Sequence, residues 1–366
     1  MTSSTPAFCN EITVIWTCQQ DEFVPLAQIP LNAVLRSGVA VVVCTYQRAD
    51  SLKRFLCSLA EQTLRPDQLI IVDASRDEAT ELMLRAFSGL VNLASEVIYM
   101  RVVGSLRGLT RQRNLGAKFV TVDKLAYFDD DVVLLPTCLE EMARVHQQYG
   151  EEAAGVGGYI VNGHRTISLR WRVRRWLRIV PSLEPGCYFR SGMSTPWSFL
   201  PPNENVTEGD WLQGCAMMWR TAVVKALGFD ENFAKYGNGE DLEFSLRASR
   251  AGKLLLAGRA RLYHLAEKTG RPEQRELTRT TDINNLIIFE SYLHRPTAVD
   301  HLYFFYGYFV NSILEQVSLL LARRPLQALN CLRGHGDFLI FLLRRLRGGG
   351  SQCVEYVVGL EHTHLT

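Results

Sequence analysis

The sequence predicts an α/β fold: a mostly parallel sheet flanked by helices, followed by a C-terminal helical extension. Three observations carry this expectation. Apolar, β-branched runs recur at Val39–Cys44, Leu69–Val72, Val97–Val103 and Leu125–Phe128, as for strands buried on both faces. Segments of helical spacing separate them, in units of roughly 30 residues, the length of a right-handed strand–helix–strand crossover. After about residue 275 the chain becomes strongly apolar with a helical pattern, up to a Gly348–Gly350 linker.

The elements follow in order. Residues 1–37 read as an N-terminal extension, with a short strand at Val14–Trp16 and interruptions at Pro25 and Pro30. No basic stretch precedes a long apolar run there, so no secretory signal is expected. Helices are expected over Ser51–Thr63, where Leu52, Phe55, Leu56 and Leu59 share one face, and over Glu78–Leu84 and Arg111–Val120. Residues 155–205 look irregular, and a second ordered block runs from Gly209 to Leu265. Ligands of such sheets bind at the carboxyl ends of the strands. The segments Thr45–Arg48, Asp73–Asp77, Gly104–Arg107 and Asp129–Asp131 therefore draw the functional reading.

Composition narrows the class. The 366 residues are 47% hydrophobic and 21% charged, an ordinary globular profile that excludes disordered, collagen-like and low-complexity chains. Lys and Arg number 40 against 38 acids, so the net charge of +2 gives no whole-chain reason to bind nucleic acid. Nine cysteines are scattered without a Cys-x-x-Cys pair, which fits reduced thiols in a cytoplasmic setting and excludes a zinc ribbon.

Three motifs carry chemistry. Asp129-Asp130-Asp131 directly follows a buried strand. Clustered acids repel, and a divalent cation relieves that repulsion; carboxylates suit Mg²⁺ or Mn²⁺, which complete their shells with substrate phosphates. The bland alternative is a solvated acidic turn. Gly237-Asn238-Gly239-Glu240-Asp241 delivers two acids to the start of a helix, with Asp241 a candidate general base. Its alternative is simple complementation of a helix N-terminus. Arg261-Leu262-Tyr263-His264 ends a strand, and His264 is either structural or a metal ligand.

Taken together, these motifs resemble those of family 2 glycosyltransferases. Val41-Val42-Val43-Cys44-Thr45-Tyr46-Gln47-Arg48 is similar to the family's opening strand and loop, and Leu69–Asp77 to its second strand with a nucleotide-binding Asp. Gly108–Gly116 is similar to its Ala-Arg-Asn-x-Gly helix, with Gln112 in place of the Ala, and Asp129–Asp131 to its DXD motif, followed by Pro136. Gly214–Arg220, Gly228–Glu231 and Glu240-Asp241 resemble its acceptor-side stretch and ED motif. Ala74 and Arg76 depart from the usual pattern.

The resemblance implies a GT-A fold and a metal-dependent inverting transfer of sugar from a nucleotide-diphosphate sugar to an acceptor hydroxyl. It implies a catalytic domain over residues 38–268, divided into a nucleotide-binding half (38–135) and an acceptor half (136–268), then a helical region (269–347) and a tail (348–366). It places Thr45, Tyr46, Arg48, Asp73, Arg113, Asp129 and Asp130 at the nucleotide sugar. Asp129, Asp131 and His264 fall at an Mg²⁺ or Mn²⁺ ion, Trp211, Gln213 and Gly214 near donor sugar and acceptor, and Asp241 with Glu240 at the catalytic centre. Tyr46 and Trp211 could equally be a loop and a core aromatic, and Arg113 a solvated helix cation. The rival readings are a nucleotidyltransferase, which would not need the Glu240-Asp241 pair, and a non-catalytic sugar-nucleotide binding protein, which would not need intact acids.

Arginines cluster over residues 165–178, interleaved with Trp171 and Trp176, and over residues 323–347. Between them, Leu302–Leu321 is nearly apolar, but Asn311, Glu315 and Ser318 share one face, so it reads as amphipathic rather than spanning. The expected partners are a nucleotide-sugar donor, a glycan or lipid-linked acceptor and an anionic membrane surface, with no nucleic acid. The expected location is cytoplasmic, peripheral on the membrane face.

Overall fold

The computed structural model describes residues 12–19, 22–25, 35–233, 238–267, 273–293 and 295–348. Gly237, Gly349, Gly350 and the tail beyond them lie outside the described residues. The four expected strands are present as β3 (Arg36–Thr45), β4 (Gln68–Asp73), β5 (Glu96–Val102) and β6 (Val122–Asp129). They are preceded by a hairpin, β1 (Ile12–Gln19) and β2 (Glu22–Pro25), and followed by β7 (Val132–Leu134) and β8 (Ala153–Ile160). The sheet is completed by β9 (Val206–Gly209), β10 (Ala216–Arg220) and β11 (Lys253–His264).

All belong to one sheet, ordered β2-β1-β5-β4-β3-β6-β10-β8-β11-β7, with β9 also paired to β11. Strands β5, β4, β3 and β6 are mutually parallel, β10 runs antiparallel between β6 and β8, and β11 is parallel to β8. This is the mostly parallel sheet flanked by helices that the sequence predicts.

Helices cover both faces. α1 (Ala49–Ala60) buries Leu52, Phe55, Leu56 and Leu59, the expected face, and α2 (Ala79–Arg85) follows β4. α3 (Leu109–Lys118) crosses beneath β3. Gly116 permits that crossing, since a Cβ there would lie 2.6 Å from Val42 Cγ1. α4 (Cys138–Tyr149), α5 (Leu169–Trp176), α6 (Thr221–Leu227) and α7 (Glu240–Ala248) complete the sheet-associated set.

Two sequence expectations are corrected. The stretch 155–205, read as irregular, includes most of β8 and all of α5. Two glycines of β8 answer to side chains that lie over them: a Cβ on Gly155 would fall 2.5 Å from the Trp219 ring, and one on Gly158 2.7 Å from Leu262. Residues 1–37, read as an extension apart from the domain, contribute β1, which pairs antiparallel with β5 and lays Trp16 on Tyr99.

The C-terminal region is α8 (Gln274–Leu293), α9 (Ala298–Leu321) and α10 (Pro325–Gly348), packed around Phe289, Phe304, Phe338 and Phe341. A polar cluster ties the three helices. His335 Nδ1 lies 2.7 Å from Asp282 Oδ2, and Tyr308 donates to the same oxygen at 3.2 Å. Glu315, which made Leu302–Leu321 look amphipathic, faces His335 Nε2 at 3.6 Å. No helix among the described residues is long and apolar enough to cross a membrane.

Candidate active site at the carboxyl edge of the sheet

Strand β6 delivers Asp129 beside Cys44 of β3, and the chain then turns through Asp130 and Asp131 into β7. β7 pairs antiparallel with the end of β11, Val132 opposite His264. That pairing sets the imidazole against the acids: His264 Nε2 lies 3.2 Å from Asp131 Oδ1. Asn162 fixes the histidine backbone from both sides, donating to its carbonyl at 2.8 Å and accepting from its amide at 3.0 Å. Asp129, Asp131 and His264 each offer a ligand atom within 4.8 Å of the others.

These residues fit a divalent cation. Asp131 Oδ1 is buried and satisfied by no hydrogen bond, only by the facing imidazole. Its Oδ2 accepts from the Glu267 amide at 3.0 Å. Burial pushes the Asp131 carboxyl up, but His264, that amide and Arg48 outweigh it and hold it below the usual range. An ionised carboxylate with an open buried oxygen, a second carboxylate and an imidazole suit Mn²⁺ or Mg²⁺.

Asp130 differs from Asp131 in where its side chain is held. Its side chain turns into the protein, where Oδ2 accepts from Thr45 Oγ1 at 2.7 Å and Oδ1 from Arg48 at 3.2 Å. Burial pushes it up to about 7 against those two partners. Asp130 thus fixes the loop after β3, and Thr45 and Arg48 are held by it. Asp73, expected at the nucleotide, is fully buried, Oδ1 accepting from the Ser75 amide at 2.8 Å and Oδ2 from the Tyr99 hydroxyl at 2.9 Å. These bonds make it a fixed corner at the end of β4. Tyr46, by contrast, is 37% exposed on the loop that Ser75 anchors through the Gln47 amide at 2.8 Å. A cleft of about 400 Å³ opens beside this loop, between Arg48, Arg54, Asp77, Thr80 and Glu267.

Arg113 joins the two acidic motifs. It projects from α3 and is 2% exposed. Its guanidinium meets Glu240 Oε1 at 2.9 Å, Asp129 Oδ1 at 3.3 Å and the Gly214 carbonyl at 3.1 Å. It lies 5.2 Å from the Phe229 ring centroid, a cation–π contact. The solvated-cation alternative is therefore wrong. Its neighbour Asn114 points the other way and pins the Gly228–Glu231 turn, accepting from the Phe229 amide at 2.7 Å and donating to its carbonyl at 2.9 Å.

Asp241 is half-buried at the start of α7, its Oδ2 accepting from the Gly214 amide at 2.8 Å. Burial raises its carboxyl above the usual range, against that amide, the Leu242 amide and Arg113. Burial and the adjacent Asp241 raise Glu240 further, to about 8, despite the Arg113 pair. One guanidinium serves three carboxylates here, so the edge carries excess negative charge. Gly214 is the hinge of this contact: a Cβ there would lie 3.1 Å from Asp241 Cβ and 3.3 Å from Arg113.

Trp211 packs between two apolar clusters, one with Tyr188 and Phe233, the other with Tyr159 and Trp197, which supports the core alternative. Gln213 is half-buried beside the second cluster. Sequence reasoning missed Gln112, Asn114, Asn162 and Glu267. Gln112 is buried and donates to the Thr45 and Val72 carbonyls at 3.2 and 2.8 Å, joining the ends of β3 and β4. It occupies the one position of the helix motif where this sequence departs from Ala, which was the available signal. Asn114 is the Asn of that same motif, while Asn162 and Glu267 bond across long sequence separations and leave no local pattern.

Comparison with known proteins follows this geometry. Residues 40–199 match the model of the family described as glycosyl transferase family 2. Over 255 residues the chain is 24% identical to a chondroitin synthase of Escherichia coli, covering 65% of this chain and 35% of that one. The chain thus spans about a third of the length of that relative. Solved structures with some likeness include S. aureus TarS, at 16% identity and a TM-score of 0.42, covering 70% of this chain and 43% of the other. GalNAc-T7, solved with UDP, GalNAc and Mn²⁺, is also 16% identical with a TM-score of 0.49, covering 71% and 49%. The motif set, the sheet that carries it and the family match agree over the nucleotide side of the sheet: residues 40–199 of this chain match glycosyl transferase family 2.

Proposed function

We propose that this chain transfers a sugar from a nucleotide-diphosphate sugar to a glycan hydroxyl, with inversion, using a divalent cation. One observation carries the reading: Arg113 holds Asp129 of the DXD motif and Glu240 of the ED motif on one guanidinium. The metal acids and the candidate base therefore belong to one site, although 112 positions separate Asp129 from Asp241.

Asp129, Asp131 and His264 would hold Mg²⁺ or Mn²⁺. When bound, that ion offsets the negative charge that grows on the departing diphosphate. The chain's own residues do the rest. Tyr46 offers an exposed ring for the base, and Arg48, fixed by Asp130, places positive charge beside the cleft. Asp241 takes the acceptor hydroxyl's proton as the hydroxyl oxygen bonds to the anomeric carbon and the bond from that carbon to the diphosphate oxygen breaks. Its raised carboxyl makes it a stronger base than a solvated Asp. Arg113 keeps Glu240 and Asp129 in place, and Gly214 gives Asp241 its orienting amide.

The partial likeness to a chondroitin synthase supports a growing polysaccharide as acceptor, with a lipid-linked glycan as its membrane-bound form. The arginine clusters support a peripheral place on the cytoplasmic membrane face. The domain limits 38–268 and 269–347 belong to the same reading. A thermal-shift screen of UDP-, GDP-, dTDP- and CMP-sugars with Mn²⁺ tests it, because stabilisation rises with ligand occupancy. One donor class should stabilise the chain, only with the metal, and its product should carry the inverted anomer by NMR. A retained anomer, or stabilisation without metal, contradicts the reading.

A further inference from the structure

Exposed apolar side chains are scattered singly over the catalytic sheet and its helices, but they gather on α5, α9 and α10. On α9, Leu302, Phe309, Ile313 and Leu320 recur at helical spacing and are between 49% and 71% exposed. They lie opposite Phe304 and Tyr308, which pack on α8 and α10. On α10, Leu332 and Leu343 are 58% and 54% exposed, opposite Gly334 and Phe338, which face α8. Both stripes therefore lie on the side of the α9–α10 pair turned away from α8.

Helix α5 runs along the rim of the same face. Tyr306 of α9 donates to the Leu177 carbonyl at 2.9 Å, and Arg174 bonds to Asn311. From that rim α5 projects Leu169 and Trp176, two turns apart on one face and 76% and 80% exposed. Exposed apolar side chains gathered from three helices mark an interaction surface rather than singly scattered residues.

Charge identifies what covers it. Exposed arginines border the patch: Arg172, Arg175 and Arg178 beside Trp176, Arg323 and Arg324 at the α9–α10 turn, and Arg333 on α10. The acids of these three helices turn elsewhere. Asp300 caps α9 and pairs with Arg190, Glu315 faces His335, and Asp337 pairs with Arg275 of α8. An apolar centre with a wholly basic margin and a projecting Trp is the pattern of helices lying in an anionic lipid interface. A second copy of this face would set arginine against arginine. No described helix can cross the bilayer, so the contact is with its surface.

We propose that the face formed by α5, α9 and α10 docks on an anionic lipid bilayer, its leucines and aromatics entering the acyl boundary while the arginines meet headgroup phosphates. This extends the peripheral placement proposed above and is independent of the transfer chemistry. The test is flotation of the full chain with phosphatidylglycerol–phosphatidylcholine vesicles and with phosphatidylcholine alone. Binding is expected only to the anionic vesicles, weakening at about 0.5 M salt, where screening is strong. The triple variant Arg175→Glu, Arg323→Glu, Arg324→Glu should lose about a hundredfold in partitioning, since each basic residue contributes about fivefold near such a surface. Phe309→Ser with Ile313→Ser should also lose binding at low salt, and Trp176→Phe should remove a blue shift of emission on vesicle addition. The substituted positions are exposed, so melting and stabilisation by donor sugar should match the parent chain, which separates a failure here from a failure of the transferase reading. The proposal is overturned if the parent chain ignores anionic vesicles, if the variants bind them equally, or if the parent is a dimer that the serine variant dissociates while vesicle binding persists.

Discussion

Asp130 and Asp131 are neighbours in sequence, each 4% exposed, and they do opposite things. Asp130 spends both oxygens on Thr45 and Arg48, and burial keeps it near neutrality. Asp131 stays ionised and keeps a buried oxygen facing only His264. Asp73 is locked like Asp130, by Ser75 and Tyr99, and Asp241 is held by two amides, those of Gly214 and Leu242, while still half-buried at the start of α7. Acids with filled partners build the loops of the nucleotide side. Asp131, the acid with an open buried oxygen, is the one that suits a cation. A motif position alone does not distinguish them; partner counting does.

The largest blow to this arrangement would fall on Arg113, the cation shared by both motifs. Arg113→Met leaves Asp129 and Glu240 facing each other's charge without compensation. It should cost about 3–5 kcal/mol of stability in urea unfolding, the usual result of removing one partner of a buried ion pair. Next come the paired acids. Asp130→Ala removes the acceptor of the Thr45 hydroxyl and one partner of Arg48 and should cost about 1–3 kcal/mol while leaving Mn²⁺ affinity measurable by calorimetry. Asp131→Ala should do the reverse, abolishing Mn²⁺ binding with a smaller change in unfolding. Equal effects of the two would erase the distinction drawn here.

The smallest expected effect is in pH dependence. Glu240 titrates at about 8 in the fold and near its ordinary value when unfolded. Between those limits the folded chain binds the extra proton, so its stability falls as pH rises from about 4.5 to about 8. Glu240→Gln should flatten that fall by up to one proton's slope, about 1.4 kcal/mol per pH unit at most. Parallel pH profiles for parent and variant would contradict the assignment.

Much of the fold was legible because it is written locally. Strands β3 to β6 are continuous apolar runs, and α1 repeats its buried leucines at helical spacing. Strand β8 was not, because its glycines answer to Trp219, Leu212 and Leu262, far along the chain, and have no strand propensity of their own. At the site, the strand-end rule found Asp129, Asp131 and His264, and the helix motif found Arg113. The partners that fix Asp73 and Asp130, Tyr99 and Thr45, were not legible because they lie on other strands of the sheet. Asn162 and Glu267 escaped notice because β7 and β11 bring them in only when paired.

The central claim is that Asp241 is the base of a site whose metal acids it does not touch. Single-turnover transfer by Asp241→Asn, with donor binding followed in parallel by thermal shift, tests it most directly. Transfer should fall about 10²–10⁴-fold, the range expected for loss of a general base. Stabilisation by the donor sugar and Mn²⁺ should persist, since Asp129, Asp131 and His264 are untouched. Near-parent turnover in that variant, or loss of donor stabilisation along with transfer, would contradict the account.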